Sequence, residues 1–238
     1  MKLMSALAHR LKDRFFRDED HPYRLFEAKV RSILQQDHVL LDAGCGRTAP
    51  ILSKFRGKAQ RLIGVDLVDF TIQPLDMELI KGDLSNTGLP DASVNVVMAR
   101  SVMEHVADPL AVYTEMFRVL KPGGYFVFVT ANLWDYSALI AKIVPNRLHP
   151  WIVSKTEGRQ EHDVFPIQYK TNTRVAVRTY ASATKFQVES FEYLGQYPAY
   201  LLFNGFLFFI GTLYEKLISR FHALGFLRGW IMVVLKKD

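Results

Sequence analysis

The sequence predicts an α/β fold built on a doubly wound, mostly parallel sheet of seven strands. Three observations carry this. Apolar runs of strand length alternate with helical periodicity between residues 37 and 130, the first run closes on two glycines, and an acidic residue ends the second. Strands that succeed one another in this rhythm pair in parallel through right-handed crossovers.

Residues 1–20 are mixed basic and acidic, and Pro22 with Leu25, Phe26, Ala28, Val30, Ile33 and Leu34 reads as an amphipathic helix covering the domain behind it. Strands are expected at residues 38–43 (HVLLDA), 61–67 (RLIGVDL), 78–81, 94–99 (VNVVMA) and 125–130 (YFVFVT). Residues 109–120 place apolar side chains at helical spacing and end on Lys121-Pro122-Gly123-Gly124, a turn that feeds the fifth strand. Past residue 130 the rhythm fails. Residues 131–170 form a long, weakly periodic insertion suited to a lid or acceptor pocket, then come a helix at 173–184, a sixth strand at 186–194 and a seventh at 230–236 (WIMVVLK).

The 238 residues suffice for one such domain. It divides into a helical cover (1–36), a core (37–130), the insertion (131–170) and a C-terminal part (171–238). The lone cysteine, Cys45, excludes an intramolecular disulfide and fits a reducing, cytoplasmic setting; the apolar run at residues 3–8 is too short for a secretory leader. A formal charge of +6 suits an anionic substrate or membrane surface, while the scatter of the bases argues against nucleic acid.

The chemistry concentrates at Leu41-Asp42-Ala43-Gly44-Cys45-Gly46. Two glycines let a strand turn sharply toward a helix and bring backbone N–H groups close to a ligand. Asp66, twenty residues past Gly46 and at the end of the second strand, is placed to accept hydrogen bonds from both hydroxyls of a ribose. Together these residues suit an adenosine-containing cofactor. Gly44-x-Gly46-x-x-Ala49 also satisfies a dinucleotide fingerprint, so a nicotinamide-dependent oxidoreductase stays open at this point, although no Tyr-x-x-x-Lys or similar hydride-transfer set is present.

Further segments continue the pattern in order: the strand end IGVD; Lys81-Gly82-Asp83-Leu84 with Leu89-Pro90-Asp91-Ala92-Ser93; Ser101-Val102-Met103-Glu104-His105-Val106-Ala107-Asp108-Pro109; and Glu115 with Arg118-Val119-Leu120-Lys121-Pro122-Gly123-Gly124. Over about residues 22–130 this succession resembles the class I S-adenosylmethionine-dependent methyltransferases, in particular the type 11 group related to quinone-biosynthesis methyltransferases. The resemblance implies a Rossmann-like sheet whose last strand is antiparallel, and S-adenosyl-L-methionine as cofactor. It implies that Asp42, Gly44, Cys45 and Gly46 surround the methionyl part, Asp66 the ribose, Asp83 and Leu84 the adenine with Leu67 flanking it, and that Arg100 belongs to the same site. Thr48 stands where the family often has a third glycine. A methyltransferase-like subunit without turnover would share these features.

His105, with Glu104 behind it, comes after the fourth strand at the sheet edge where ligands bind, and is the candidate base for a hydroxyl acceptor; a packing or capping histidine is the other reading. Trp134, Tyr136, His149, Trp151, Arg159, His162, Asp163 and Tyr169 give the insertion an aromatic and polar mixture suited to an acceptor pocket. The spacing of His149, His162 and Asp163 matches no ligand motif, so no metal is expected. The expected reaction is O-methylation of a small-molecule, glycan or lipid-linked acceptor. Residues 193–214 lack charge throughout; Pro198, Asn204, Gly195, Gly205 and Gly211 argue against a spanning helix, leaving a peripheral helix on a membrane interface, or a core or dimer-contact helix.

Overall fold

The computed structural model describes residues 2–136 and 165–238. The chain divides into two compact units, one of Met1–Leu25, Ala131–Pro166 and Tyr193–Ile231, the other of Phe26–Thr130, Ile167–Glu192 and Met232–Asp238.

The second unit carries most of the sheet. The strands are β1 (Val39–Ala43), β2 (Arg61–Asp66), β3 (Glu78–Lys81), β4 (Val94–Arg100), β5 (Leu120–Ala131), β6 (Gln187–Leu194) and β7 (Trp230–Lys236). They lie in the order β3-β2-β1-β4-β5-β7-β6. β7 runs antiparallel to both neighbours and the remaining pairs are parallel, as expected. All five residues of β1 are buried, which is why its sequence is an unbroken apolar run save for Asp42. Register slips between Val94↔Leu120 and Val96↔Tyr125. Pro122-Gly123-Gly124 bulges out there: Gly123 has φ +77, and a Cβ on Gly124 would stand 2.8 Å from the Lys121 carbonyl oxygen. The bulge is locked by reciprocal bonds, Gly123 N–H to the Lys237 oxygen (2.8 Å) and Lys237 N–H to the Gly124 oxygen (2.9 Å).

Helix α2 (Pro22–Ile33) opens on proline, where a missing N–H costs nothing. Helix α3 (Pro109–Val119) does the same behind an Asp108 cap whose carboxylate accepts the Ala111 N–H at 3.1 Å. Helix α4 (Arg174–Ala183) is capped by Thr173. An aromatic cluster centred on the fully buried Tyr113 of α3, against Phe126, Phe128, Tyr180 and Phe186, fixes these helices on the sheet.

In the first unit, helix α1 (Lys2–Phe15) packs with helix α5 (Gly205–Arg220). Gly205 admits Leu7, whose side chain would lie 2.8 Å from an added Cβ, and the Phe16 and Phe208 rings meet edge-on with 6.3 Å between centroids. Asn204 caps α5 through the N–H groups of Phe206 and Leu207, and Arg228 donates to the Ile218 and Ser219 carbonyls of its last turn. The apolar segment expected at 193–214 thus resolves into a 3-10 turn (Ala199–Leu201) and a helix that runs on past it to Arg220. Among the described residues no helix is long and apolar enough to cross a membrane.

The buried Tyr113 hydroxyl has no hydrogen-bond partner among the described residues, and burial holds it far above the ordinary phenol range. Tyr113→Phe therefore raises unfolding stability by about 1 kcal/mol in urea titrations, since an unpaired buried hydroxyl is a net cost. A loss of similar size would show that the hydroxyl is paired.

Candidate active site

The site is built on the carboxyl ends of β1, β2 and β4, all within the second unit. Gly44 and Gly46 turn the chain at φ +83 and +74, in the left-handed region that favours glycine. Gly44 is doubly constrained, because a Cβ there would collide with Cγ2 of Val102. A Cβ on Gly46 would meet nothing within 4 Å, so its Cα faces open space.

The loop is tied to β2. The N–H groups of Gly44 and Cys45 both donate to the Val65 carbonyl (2.8 and 3.3 Å), and the Gly46 N–H donates to Oδ2 of Asp66 at 2.7 Å. The other Asp66 oxygen accepts the Val68 N–H at 3.2 Å. The three loop donors are thus hydrogen-bonded to Val65 and Asp66. Each carboxylate oxygen of Asp66 still has acceptor capacity for a hydroxyl.

The expected passage from the glycine turn straight into a helix is corrected. Residues 47–51 are irregular and lead to a 3-10 turn, Leu52–Phe55. Pro50 is the reason: it disfavours the α-helical conformation at the residue before it, and Ala49 adopts φ +41.

Asp42 is 2% exposed, and its Oδ2 has no hydrogen-bond partner among the described residues. Burial pushes its carboxyl up to about 7; Arg100 and the Leu52 N–H pull it down, and Asp66 adds to the rise. Arg100, at the end of β4, stands 4.0 Å from the buried Glu27, which also pairs with Lys54 at 2.6 Å. Glu27 escaped the sequence reading, since one acid on a helix of mixed polarity carries no signal. Cys45 is buried with its sulfur side against Gly64, where a Cβ would lie 2.7 Å from Sγ, and burial holds the thiol above its ordinary range. It is a packing residue whose side chain faces β2.

Asp83 is exposed at the end of β3, and its Oδ1 closes a turn by accepting the Ser85 N–H (2.8 Å) and hydroxyl (2.9 Å). Leu84 is buried at 9% and Leu67 exposed at 53%, so of the two leucines Leu67 offers the accessible apolar surface.

Beyond β4, Ser101 takes φ +56, an uncommon backbone state for a residue with a side chain. His105 is half-buried in the segment after it. Glu104 is buried, and its carboxylate accepts the Thr130 hydroxyl, whose oxygen in turn accepts Asn172 Nδ2 at 3.0 Å. Its carbonyl also takes the N–H groups of Gln168 (2.7 Å) and Tyr169 (3.1 Å). These ties span distant stretches, and no local pattern could reveal them. Of the insertion residues, Trp134 is exposed and Tyr136 and Tyr169 are half-buried; His149, Trp151, Arg159, His162 and Asp163 lie outside the described residues. Among the described residues no group of three metal-ligating side chains occurs.

The Gly44–Val102 approach is testable. Gly44→Ala destabilises the protein by about 2 kcal/mol in denaturant titrations, and adding Val102→Ala recovers part of that loss by removing the nearest methyl groups. No recovery would mean that the positive φ alone sets the cost.

Residues 41–128 match the family model described as a methyltransferase domain, type 11. A malonyl-[acyl-carrier protein] O-methyltransferase of Yersinia pestis is 33% identical over 105 residues, covering 41% of this chain and 39% of that protein. A sterol 24-C-methyltransferase of Aspergillus fumigatus is 32% identical over 98 residues, covering 37% and 26%. The chain thus spans well under half the length of these curated relatives. Among solved structures, the YcgJ protein of Bacillus subtilis superimposes with a TM-score of 0.58 at 16% identity, covering 91% of this chain and 99% of that one. A geranyl diphosphate C-methyltransferase of Streptomyces coelicolor, in complex with S-adenosyl-L-homocysteine, gives 0.54 at 16% identity, covering 89% and 75%. Residues 41–128 are thus similar to a type 11 methyltransferase domain, and the sheet has the Rossmann-like fold of the solved structures it superimposes on.

Proposed function

We propose that this protein is a cytoplasmic enzyme that binds S-adenosylmethionine at the β1–β2–β4 edge and methylates an oxygen of a small-molecule, glycan or lipid-linked acceptor. The buried, half-unpartnered carboxylate of Asp42 beside a glycine turn carries the reading. A cationic ligand suits a buried acid that Arg100 compensates only in part, and the amino group of S-adenosylmethionine supplies that charge. A dinucleotide fits less well. Its pyrophosphate calls for free backbone donors at a helix N-terminus, whereas the donors of residues 44–46 are spent and the next element is a 3-10 turn.

In this reading Asp66 holds the ribose, Asp83 and the exposed face of Leu67 hold the adenine, and the open Cα of Gly46 lets the ligand approach. When bound, the cofactor supplies an electrophilic methyl group. His105 accepts the proton of the acceptor hydroxyl as its oxygen becomes nucleophilic. Glu104, bonded through both its carboxylate and its carbonyl, acts as a positioning residue that holds the His105 segment against Thr130 and Asn172 rather than as a second base. Curated relatives include both O- and C-methyltransferases, so the choice of oxygen rests on the imidazole.

Calorimetry tests the cofactor step. Pairing with the ligand's ammonium lowers the Asp42 pKa from about 7, so a proton is released on binding below that pH. Affinity for S-adenosylmethionine then rises with pH up to about 7 and levels off, and Asp42→Asn abolishes the slope. Tight binding of NAD(H) with none of S-adenosylmethionine overturns the reading. Turnover is measured as S-adenosylhomocysteine release across phenolic, glycan and lipid-linked hydroxyl acceptors, and His105→Ala is expected to lower kcat by about a hundredfold or more.

A further inference from the structure

Helix α5 of the first unit leaves an apolar stripe uncovered. Phe206, Ile210, Leu213 and Leu217 recur at intervals of four, three and four residues, which places them in one line along a helix, with Phe209 beside them. All are exposed; Phe206 is the most open at 64% and Phe209 the least at 40%. Phe203 before the helix and Phe221 after it extend the apolar surface at its ends, at 60% and 50%. A contiguous row of large side chains open to solvent marks a surface with a partner.

The charges around the stripe say which partner. Lys216 and Arg220 sit one turn apart on its shoulder, adjacent to Leu213 and Leu217, and both are exposed. From Tyr193 to Lys237 the single carboxylate is that of Glu215. That group is 2% exposed on the opposite face of α5. Burial, reinforced by Asp135, pushes it up to about 8 despite Arg228 and the Gln196 N–H, so it stays largely neutral at physiological pH. On α5 itself the exposed face is thus apolar with a cationic edge, and Asp18 and Asp20 come near only at the cavity beside Lys216. At 16 residues the helix is about 24 Å long, short of the roughly 30 Å hydrocarbon core of a bilayer. It can lie in an interface but cannot cross it.

We propose that α5 is a membrane-interface helix that lays Phe206, Ile210, Leu213 and Leu217 into the surface of a bilayer carrying anionic headgroups, with Lys216 and Arg220 against the phosphates. A cavity of about 250 Å³ lies beside it in the same unit, lined by charges of both signs, Lys12, Arg17 and Lys216 with Asp18 and Asp20, so the anionic attraction rests on Arg220 and Lys216 of α5 itself. Membrane docking of α5 is independent of the methyl-transfer reading.

Vesicle flotation decides it. The full chain is expected to float with vesicles of phosphatidylcholine and phosphatidylglycerol, weakly with phosphatidylcholine alone, and less as salt rises. Leu213→Glu/Leu217→Glu reduces partitioning about tenfold or more, and Arg220→Glu reduces it on anionic vesicles but not on neutral ones. Phe206→Ser/Ile210→Ser serves if the acidic pair unfolds the protein, with near-ultraviolet dichroism reporting the fold. Failure of the wild-type protein to float, or flotation indifferent to these substitutions, overturns the proposal. So does light scattering that finds a dimer which these substitutions dissociate while flotation is unchanged, since the stripe would then be a contact between copies. Calorimetry with S-adenosylmethionine on the same samples separates failure here from failure of the cofactor reading.

Discussion

The hydrogen bond from the Gly46 N–H to the Asp66 carboxylate is the constraint on which the candidate site depends. It joins the end of β1 to the end of β2 with a charged acceptor at 2.7 Å, a bond worth about 1.5–3 kcal/mol where one partner is ionised. Two further bonds, from Gly44 and Cys45 to Val65, lock the same turn. A turn so firmly tied keeps its donors on Val65 and Asp66. It offers shape instead: a glycine Cα facing open space, an Asp66 carboxylate held in a fixed direction, and a buried Asp42 with one oxygen unsatisfied. Such an arrangement is organised before any ligand arrives, which spares the ordering cost of binding.

This constraint explains why other positions are as they are. Val102 fits against Gly44 only because no Cβ is there, and Ser101 bears a rare positive φ where the chain leaves β4 for the same place. Glu104 then anchors the next segment through Thr130, Asn172 and two backbone amides, so that the strained corner is backed by a buried polar network with several partners. His105 is carried on that anchored segment rather than on a free loop, which suits the proton-accepting role proposed for it.

Much of the fold was legible in the sequence. The central strands are short, largely buried and rich in branched apolar residues, so length and composition agree, and α2 and α3 announce their starts with proline and, for α3, a capping aspartate. The family motif located Asp42, Gly44, Gly46 and Asp66, which the structure brings to one edge. The features that escaped did so for physical reasons. Helix α1 went unread although Leu3, Leu7, Leu11 and Phe15 recur every four residues, because the mixed charge of residues 1–20 masks that spacing. The end of α5 was misplaced because Glu215 looks like a surface residue and is buried. The glycine turn does not run directly into a helix because Pro50 governs the residue before it, and Ala49 takes φ +41. The bonds of Glu104 to Thr130 and of Gly46 to Asp66 are tertiary facts that spacing alone does not specify.

Equilibrium binding of S-adenosylmethionine to Asp66→Ala and Asp66→Asn proteins tests the central claim most directly. If Asp66 both fixes the glycine turn and receives the ribose, the alanine variant stays folded but binds at least about thirtyfold more weakly, and asparagine, which keeps one acceptor but not the charge, falls between. Parental affinity in a folded alanine variant would contradict the account, because the turn would then be neither held by that carboxylate nor needed to hold the ligand.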